Sequence, residues 1–171
     1  TVTDFLTSSQ IDHDLVVPQP ENIGNDWYNW CCSNWGSKWG WYDGQTFADN
    51  GLITEFTTNS AWSPSKKLWK KLASMFPQMQ ALVAVFDEGW CFAELAVISN
   101  GDVTWHQVEA NSNMYELCYD DVAVEYNDET DTEVECESHG ITLRDLVDKW
   151  ESLEDVVAKM AKPKMLEDLT Q

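Results

Sequence analysis

Positive charge is scarce in this sequence. Thirty Asp and Glu residues stand against ten Lys and Arg among 171 residues, which gives a formal net charge of -20 at pH 7. Between Asp87 and Glu137 there is no Lys or Arg, whereas those 51 residues contain fifteen acids. Attraction to phosphates dominates affinity for nucleic acids and anionic membranes, and here it would be reversed. We therefore expect no direct binding to nucleic acid or to a membrane.

Long apolar runs are also missing. The longest, Ala81–Phe86, is far shorter than the ~20 residues that a membrane-spanning helix requires. The first residues, TVTDFLTSSQ, lack the basic start and apolar stretch of a secretory signal, so we expect a cytoplasmic protein. With 43% apolar residues, a chain of this length is expected to form a single domain over residues 1–171 with its own core.

Patterns typical of catalytic or metal sites are few. None of the five cysteines forms a C-x-x-C pair, so we expect reduced thiols, and adjacent Cys31 and Cys32 lack the usual spacing of zinc ligands. The three histidines, His13, His106 and His139, lie in different segments without a recognised motif. The acidic run 127–135 lacks the glycine and the ligand periodicity of a calcium loop. We expect neither an enzyme nor a bound metal or cofactor.

Apolar periodicity predicts a mixed α+β fold. Strands are predicted over residues 51–57, 80–86, 90–99 and 103–108. Asn100-Gly101 predicts a type I′ turn between the last two strands. A helix is predicted to begin at Ser63-Pro64 and to stop at Pro77. Its predicted core stripe is Leu68, Leu72, Met75 and Phe76, and its predicted outer face is Lys66, Lys67, Lys70 and Lys71.

The pattern weakens after Asn111, where the residues fit either a short helix or a further strand. A C-terminal helix is predicted from Thr142, with Asp145 in the capping-box position, along a stripe that runs to Met160. Ser152 and Asp155 repeat the capping signal, which favours a break in this helix near its middle.

Several motifs in residues 16–110 carry a resemblance to a known family. They are Val17-Pro18, Trp27-Tyr-Asn-Trp30, Asn34-Trp-Gly-Ser-Lys-Trp39, Tyr42-Asp43, Phe56 to Ala61-Trp-Ser-Pro64, Phe76-Pro77, and Glu88-Gly89 to Phe92-Ala93. This segment resembles the YubB-type ferredoxin-like domain of plasmid- and phage-encoded proteins. The resemblance implies a ferredoxin-like sandwich, with an antiparallel sheet and helices on one face, and an origin in a mobile element. It implies no activity, and the residues before Val16 leave little room for the strand and helix that usually precede these motifs.

The acidic segment 111–137 and the C-terminal helical segment 138–171 lie outside the shared motifs, so we look for a special function there. Asp131, Glu133, Glu135 and Glu137 alternate at period two. On an extended strand their carboxylates would lie on one face about 6.6 Å apart. Successive phosphates advance ~3.4 Å along a duplex axis, so such a row would imitate DNA.

These observations lead to the hypothesis of a non-catalytic, acidic DNA mimic from a phage or plasmid. Its partner would be a basic DNA- or RNA-binding host protein in the host cytoplasm, such as a CRISPR effector or a restriction enzyme. This chain would bind that partner as a monomer or a homodimer. The predicted partner-binding residues are Asp120, Asp121, Glu125, Asp128, Glu129, Asp131, Glu133, Glu135 and Glu137. The alternatives are a non-specific accessory protein whose acids only form a solvated or disordered face, and a ligand-binding module.

The ligand-binding alternative depends on the segment Trp27–Trp41, which holds five of the ten tryptophans. Base stacking would need interleaved Lys and Arg, and Lys38 is the only cation nearby. Carbohydrate or small-ligand binding stays open, because Asp and Asn side chains next to these rings could bind hydroxyl groups. We expect the segment to be core, including Trp30 and Trp39, since buried aromatic rings can fix an irregular connection against a small sheet.

Overall fold

The computed structural model describes residues 12–49, 54–119, 121, 123–127, 130–136, 142, 143, 145, 146 and 155. The chain forms two compact units: unit 1 comprises residues 1–79 with 99–103, and unit 2 comprises residues 80–98 with 104–171. Helices accompany antiparallel strands, so the α+β class is confirmed. The described strands form sheets of two, three and two strands. A ferredoxin-like sandwich is not confirmed by them, and the predicted single domain stays a prediction.

Unit 1 combines helices with a two-stranded sheet. Its elements are α1 (His13–Val16), a 3-10 turn (Gly24–Asp26), α2 (Trp27–Asn34), β1 (Tyr42–Asp49), β2 (Thr54–Asn59) and α3 (Lys66–Met75). β1 and β2 pair antiparallel, with two register shifts along the ladder. The sequence does not predict β1, because its segment YDGQTFAD lacks an apolar alternation. The strand predicted over 51–57 is observed as β2, and residues 50–53 lie outside the described part of the chain.

Helix α3 begins three residues later than Ser63, where the sequence predicts its start. Ser65 has a left-handed backbone, with φ of 51°, so it cannot belong to the helix. Its buried hydroxyl lies 2.7 Å from the hydroxyl of Ser37, a contact that links the helix start to the segment after α2. This tertiary contact is the physical reason that the local Ser-Pro signal gives the wrong start.

The two faces of α3 follow the prediction in part. Leu68 and Leu72 are buried, as predicted. The prediction that Met75 and Phe76 complete the core stripe is wrong, because Met75 is 38% exposed and Phe76 lies half-buried beyond the last helical residue. The four lysines are exposed on the outer face, as predicted: Lys66, Lys67, Lys70 and Lys71. Lys67 also donates a hydrogen bond from Nζ to the carbonyl of Ser33, at 2.6 Å, and so ties α3 to the end of α2.

Only part of the tryptophan segment is core. Trp35 and Trp41 are buried, at 3% and 4% exposure, and the indole N–H of Trp35 donates to the Val17 carbonyl at 2.9 Å. Between them Gly40 leaves room for the His13 ring, since an added Cβ would overlap that ring. The prediction that Trp39 is core is wrong, because Trp39 is 41% exposed.

The remaining tryptophans of the segment lie closer to solvent. Trp27 is 40% exposed, and Trp30 is half-buried with its ring edge-on to Trp35 at 5.1 Å between centroids. The core of unit 1 instead recruits Trp69 from α3, whose ring centroid lies 4.9 Å from that of Trp41. Burial of an aromatic ring in this unit therefore depends on contacts between elements, and a cluster in the sequence does not reveal which rings make them.

Unit 2 is organised on a three-stranded antiparallel sheet. Its strands are β3 (Ala81–Phe86), β4 (Ala93–Ser99) and β5 (Asp102–Val108), in the order β3-β4-β5. Residues 99–103, at the turn between β4 and β5, are assigned to unit 1. The predicted turn at Asn100-Gly101 is confirmed, because both residues have the positive φ, 52° and 79°, that a type I′ turn requires.

The connection between β3 and β4 differs from the prediction. The strand predicted to begin at Trp90 begins at Ala93, because residues 87–92 form a tight turn. The Asp87 carbonyl accepts from the backbone N–H of Trp90 at 2.8 Å, and the Asp87 carboxylate accepts from that of Cys91 at 3.1 Å. The Asp87 N–H in turn donates to the Phe92 carbonyl at 3.0 Å, which closes the turn.

A helix covers one face of this sheet. α4 (Ser112–Tyr119) packs against β3 and contributes buried side chains to a core with β4 and β5. The buried members of that core are Ala93, Leu95, Val108, Met114, Leu117 and Leu146. The capping box is confirmed, since the Asp145 N–H donates to Thr142 Oγ1 and the Thr142 N–H donates to the Asp145 carboxylate, each at 3.1 Å. The rest of the predicted stripe to Met160 lies outside the described residues.

We predict that the tryptophans of unit 1 differ sharply in their contribution to stability. Trp35→Ala and Trp41→Ala should each lower the free energy of unfolding by about 3–5 kcal/mol, because each leaves a cavity in the core. Trp39→Ala, the matched control from the same segment, should cost at most about 1 kcal/mol. Urea unfolding measures all three, and equal losses would contradict this assignment of the core.

Candidate functional site

A separate antiparallel hairpin carries part of the acidic segment of unit 2. It consists of β6 (Val124–Asn127) and β7 (Thr132–Glu135), with Glu135 opposite Val124. All four β7 positions are exposed, and Val124 is 49% exposed. A strand that is exposed on both faces contributes little to a core, so its side chains are accessible to a partner. The segment after Asn111 thus contains both a helix and a strand, where the sequence favours one or the other.

The predicted row of carboxylates is present in part. Glu133 and Glu135 lie on one face of β7, and two residues of an antiparallel strand span about 6.8 Å. The prediction that Asp131 continues this alternation is wrong, because Asp131 has φ of 56° and lies in the turn before the strand. Of the other predicted contacts, Asp121 is exposed, Glu125 lies on β6, and Asp120, Asp128, Glu129 and Glu137 lie outside the described residues.

Negative charge is concentrated in unit 2. Its sequence holds 21 acids and five bases, a formal charge of -16, whereas unit 1 holds nine acids and five lysines, a charge of -4. The described residues of unit 2 include no Lys or Arg. The described Asp and Glu residues of this unit are exposed or partly buried, although one carboxylate oxygen of Glu94, Oε2, is buried. Unit 2 therefore presents a surface rich in carboxylates.

A second group of side chains in unit 2 escapes the sequence analysis. We call it the Tyr119 stack: Phe86, Trp90, Tyr115 and Tyr119. Tyr115 stacks on Trp90 at 5.7 Å and on Tyr119 at 4.7 Å between ring centroids, with interplanar angles of 14° and 30°. Phe86 meets all three edge-on, at 5.0, 5.6 and 6.1 Å. The four-residue spacing of Tyr115 and Tyr119, which places both on one helix face, is the signal that could have revealed part of it.

Unit 1 has its own exposed aromatic group, which we call the Trp62 patch: Lys38, Trp39, Tyr42 and Trp62. The Lys38 ammonium lies 4.7 Å from the Trp39 ring centroid and 4.2 Å from that of Trp62. Tyr42 meets Trp39 edge-on at 6.4 Å. Trp39, which belongs to the Trp27–Trp41 segment of the ligand-binding alternative, is 41% exposed, and Trp62, outside that segment, is 69% exposed. A cation of the chain itself already occupies the space between the two indoles.

The described residues offer little for catalysis. Among them, no group of three or more His, Cys, Asp and Glu side chains is placed to hold a metal ion. His13 packs edge-on against Trp35 at 4.6 Å, and His106 lies half-buried on β5. In that same part of the chain no helix combines the length and apolar character that crossing a membrane demands.

Thiol chemistry also differs from site to site. Cys91 is exposed in the β3–β4 turn. Cys118 packs against the core of unit 2, and burial raises the pKa of its thiol to about 12. Burial, followed by the neighbouring Cys32, raises the pKa of Cys31 as well. Since the thiolate is the nucleophile, these buried cysteines are poorly suited to covalent catalysis.

Comparison with known proteins returns no relatives: the sequence matches no protein-family model, no curated protein and no solved structure. The function must therefore be argued from the surfaces described above.

We predict selective alkylation of the folded protein. At pH 8, iodoacetamide should modify Cys91 while Cys118 stays unmodified, because a pKa of about 12 lowers the thiolate fraction of Cys118 about a thousandfold relative to an ordinary cysteine. Peptide mass spectrometry measures both rates, and unfolding in guanidinium should abolish the difference. Equal rates in the folded protein would contradict the burial of Cys118.

Proposed function

We propose that this protein is an acidic, non-catalytic DNA mimic that occupies the nucleic-acid site of a basic host protein. The observation that carries the proposal is the charge of unit 2, -16, on a surface whose described residues include exposed carboxylates and no Lys or Arg. The target class is a defence protein that handles nucleic acid, such as a CRISPR effector or a restriction enzyme, in the cytoplasm of a bacterial host.

Electrostatics favours this kind of partner. Concentrating like charge costs stability through self-repulsion, and a basic groove would relieve that repulsion on association. Such a groove is built to bind rows of phosphates, which the exposed carboxylates of Glu133 and Glu135 imitate at about every second phosphate step along one strand. Complementary charge would also speed the encounter of the two proteins.

The resemblance of residues 16–110 to the YubB-type domain supports an origin in a mobile element, where inhibitors of host defence are useful. The ferredoxin-like sandwich that this resemblance implies is part of the same proposal. The acidic hairpin lies outside the resembling segment, as expected of a feature added to a common scaffold.

A second candidate function is favoured by the Trp62 patch. Its exposed rings could stack on a sugar or another small ligand, which is the alternative that the tryptophan-rich sequence raises. The Lys38 ammonium lies over the rings of both Trp39 and Trp62, so a cation of the chain itself already interacts with these two indoles. This contact makes the patch a weaker candidate than the surface of unit 2, whose described residues include exposed carboxylates and no Lys or Arg.

Competition with DNA tests the proposed function. The full chain, immobilised and incubated with bacterial lysate, should retain nucleic-acid-binding proteins that excess duplex DNA releases. The triple variant Asp131→Asn, Glu133→Gln, Glu135→Gln keeps side-chain size and removes three charges. Because each exposed ion pair contributes roughly 0.2–1 kcal/mol, removal of three charges should cost about 0.6–3 kcal/mol of affinity for the captured protein.

A matched control separates the position of charge from its amount. Glu21→Gln, Asp26→Asn and Asp43→Asn remove three exposed charges from unit 1 and should leave capture unchanged. Equal capture by both triple variants would contradict mimicry through the hairpin. Captured proteins that bind no nucleic acid, or that DNA fails to release, would contradict mimicry altogether.

A further inference from the structure

The Tyr119 stack presents open aromatic surface at both of its ends. Tyr115 lies between Trp90 and Tyr119, so its two faces are covered. The outer rings, Trp90 and Tyr119, are 39% and 48% exposed. Tyr115 covers part of each outer ring and Phe86 meets both edge-on, while a large part of each outer ring stays exposed.

The backbone holds one end of the stack in an unusual conformation. Trp90 has φ of 58°, a left-handed value that is rare for a bulky side chain. The turn of residues 87–92, closed by the hydrogen bonds of Asp87, imposes this value and sets the indole against Tyr115. A strained residue that keeps a large apolar ring partly in solvent is typical of a binding site rather than of a core.

Two carboxylates act electrostatically on the other end, Tyr119. The pKa of the Tyr119 hydroxyl is raised, first by burial and then by neighbouring groups that include the Glu88 and Asp87 carboxylates. Glu88 is exposed, whereas Asp87 is fixed by its hydrogen bond to the Cys91 N–H. These carboxylates are therefore close enough to act on a charge at the ring, and the described residues of unit 2 hold no Lys or Arg to compensate them.

The two aromatic groups of the protein differ in this respect. In the Trp62 patch the Lys38 ammonium lies over two indole rings. In the Tyr119 stack the outer rings and the two carboxylates both attract a cation. The described part of unit 2 supplies no Lys or Arg to meet them. A cation from another molecule would meet both requirements, since it would lie over a ring face and next to a carboxylate.

We infer that the Tyr119 stack is a binding site for the guanidinium group of an arginine on the basic partner. Guanidinium is planar, weakly hydrated and able to stack on an aromatic face while its N–H groups donate to a carboxylate. Lysine offers a compact, strongly hydrated charge that gains less from stacking. The rings form a ladder rather than a box, which suits a flat cation better than a quaternary ammonium group.

This inference rests on the proposed function, because it supplies the partner's chemistry. Arginine is abundant where proteins contact phosphates and base edges, so a nucleic-acid groove would present it to the surface of unit 2. The carboxylates of the hairpin would then attract arginine and lysine alike, and the Tyr119 stack would select arginine over lysine.

Synthetic peptides test the site in the full chain. Hexa-arginine and hexa-lysine carry the same charge, and hexa-citrulline keeps the shape of arginine without the charge. At physiological salt we expect hexa-arginine to bind the unaltered protein about 3–10-fold more tightly than hexa-lysine, and hexa-citrulline to bind far more weakly than either. Equal affinity for hexa-arginine and hexa-lysine would overturn the inference, and tight binding of hexa-citrulline would point to an uncharged ligand instead.

Variants locate the preference. Tyr119→Leu should reduce the ratio of the two affinities to about one, whereas Tyr119→Phe, which keeps the ring, should preserve it. Tyr42→Leu, which removes an exposed tyrosine from unit 1, is the matched control and should also preserve it. A preference that survives Tyr119→Leu would refute the site.

Glu88→Gln, at an exposed position, should weaken the binding of hexa-arginine without changing the melting temperature.

A measurement on the unaltered chain covers the case in which Tyr119→Leu fails to fold. The ring resonances of Tyr119 should shift when hexa-arginine is added, and those of Tyr42 should not. Unchanged Tyr119 resonances at saturating peptide would overturn the inference by themselves.

The triple variant that removes three charges from the acidic hairpin distinguishes failure of the arginine site from failure of the proposed function. Asp131→Asn, Glu133→Gln, Glu135→Gln should weaken both cationic peptides alike and leave the arginine preference intact. If the preference is absent while DNA still releases captured proteins, the stack is not the arginine site and mimicry stands. If the preference holds while captured proteins bind no nucleic acid, mimicry fails and the stack remains a guanidinium site.

Discussion

Repulsion between like charges is the constraint on which the organisation of unit 2 depends. A formal charge of -16 opposes compaction of this unit, and burial of apolar side chains such as Leu95, Met114 and Leu117 opposes the repulsion. Most of its described carboxylates lie at the surface, where water screens them, whereas Oε2 of Glu94 is buried. A fold under this constraint gains stability from any basic partner that neutralises the surface. The proposed function takes that gain as the source of affinity.

Aromatic side chains play different parts in the two units. In unit 1 the rings of Trp35, Trp41 and Trp69 are buried and stabilise the packing of helices and loops. The exposed indoles of Trp39 and Trp62 lie next to the Lys38 ammonium. In unit 2 the outer rings of the Tyr119 stack remain accessible next to carboxylates. The same residue types thus form a core in one unit and a candidate recognition surface in the other, and the neighbouring charges make the difference.

Features set by neighbours in sequence could be predicted, and those set by distant contacts could not. The turn at Asn100-Gly101, the capping box of Thr142 and Asp145 and the strand of Glu133 and Glu135 need only local rules. The start of α3 depends on a contact between Ser65 and Ser37. The stack joins Phe86 and Trp90 to a helix that begins more than twenty residues later. Alternation alone also failed at Asp131, because the turn before β7 takes that residue out of the strand.

The central claim is that unit 2 forms the binding face, and hydrogen exchange on a captured complex tests it most directly. The measurement compares amide protection along the chain with and without the bound nucleic-acid-binding protein. The account predicts new protection in the hairpin of residues 124–135 and in the turn of residues 87–92, with unchanged exchange around Trp39 and Trp62. Protection confined to residues 36–42 and 61–63, with none in the hairpin, would contradict it and would assign the binding face to the Trp62 patch.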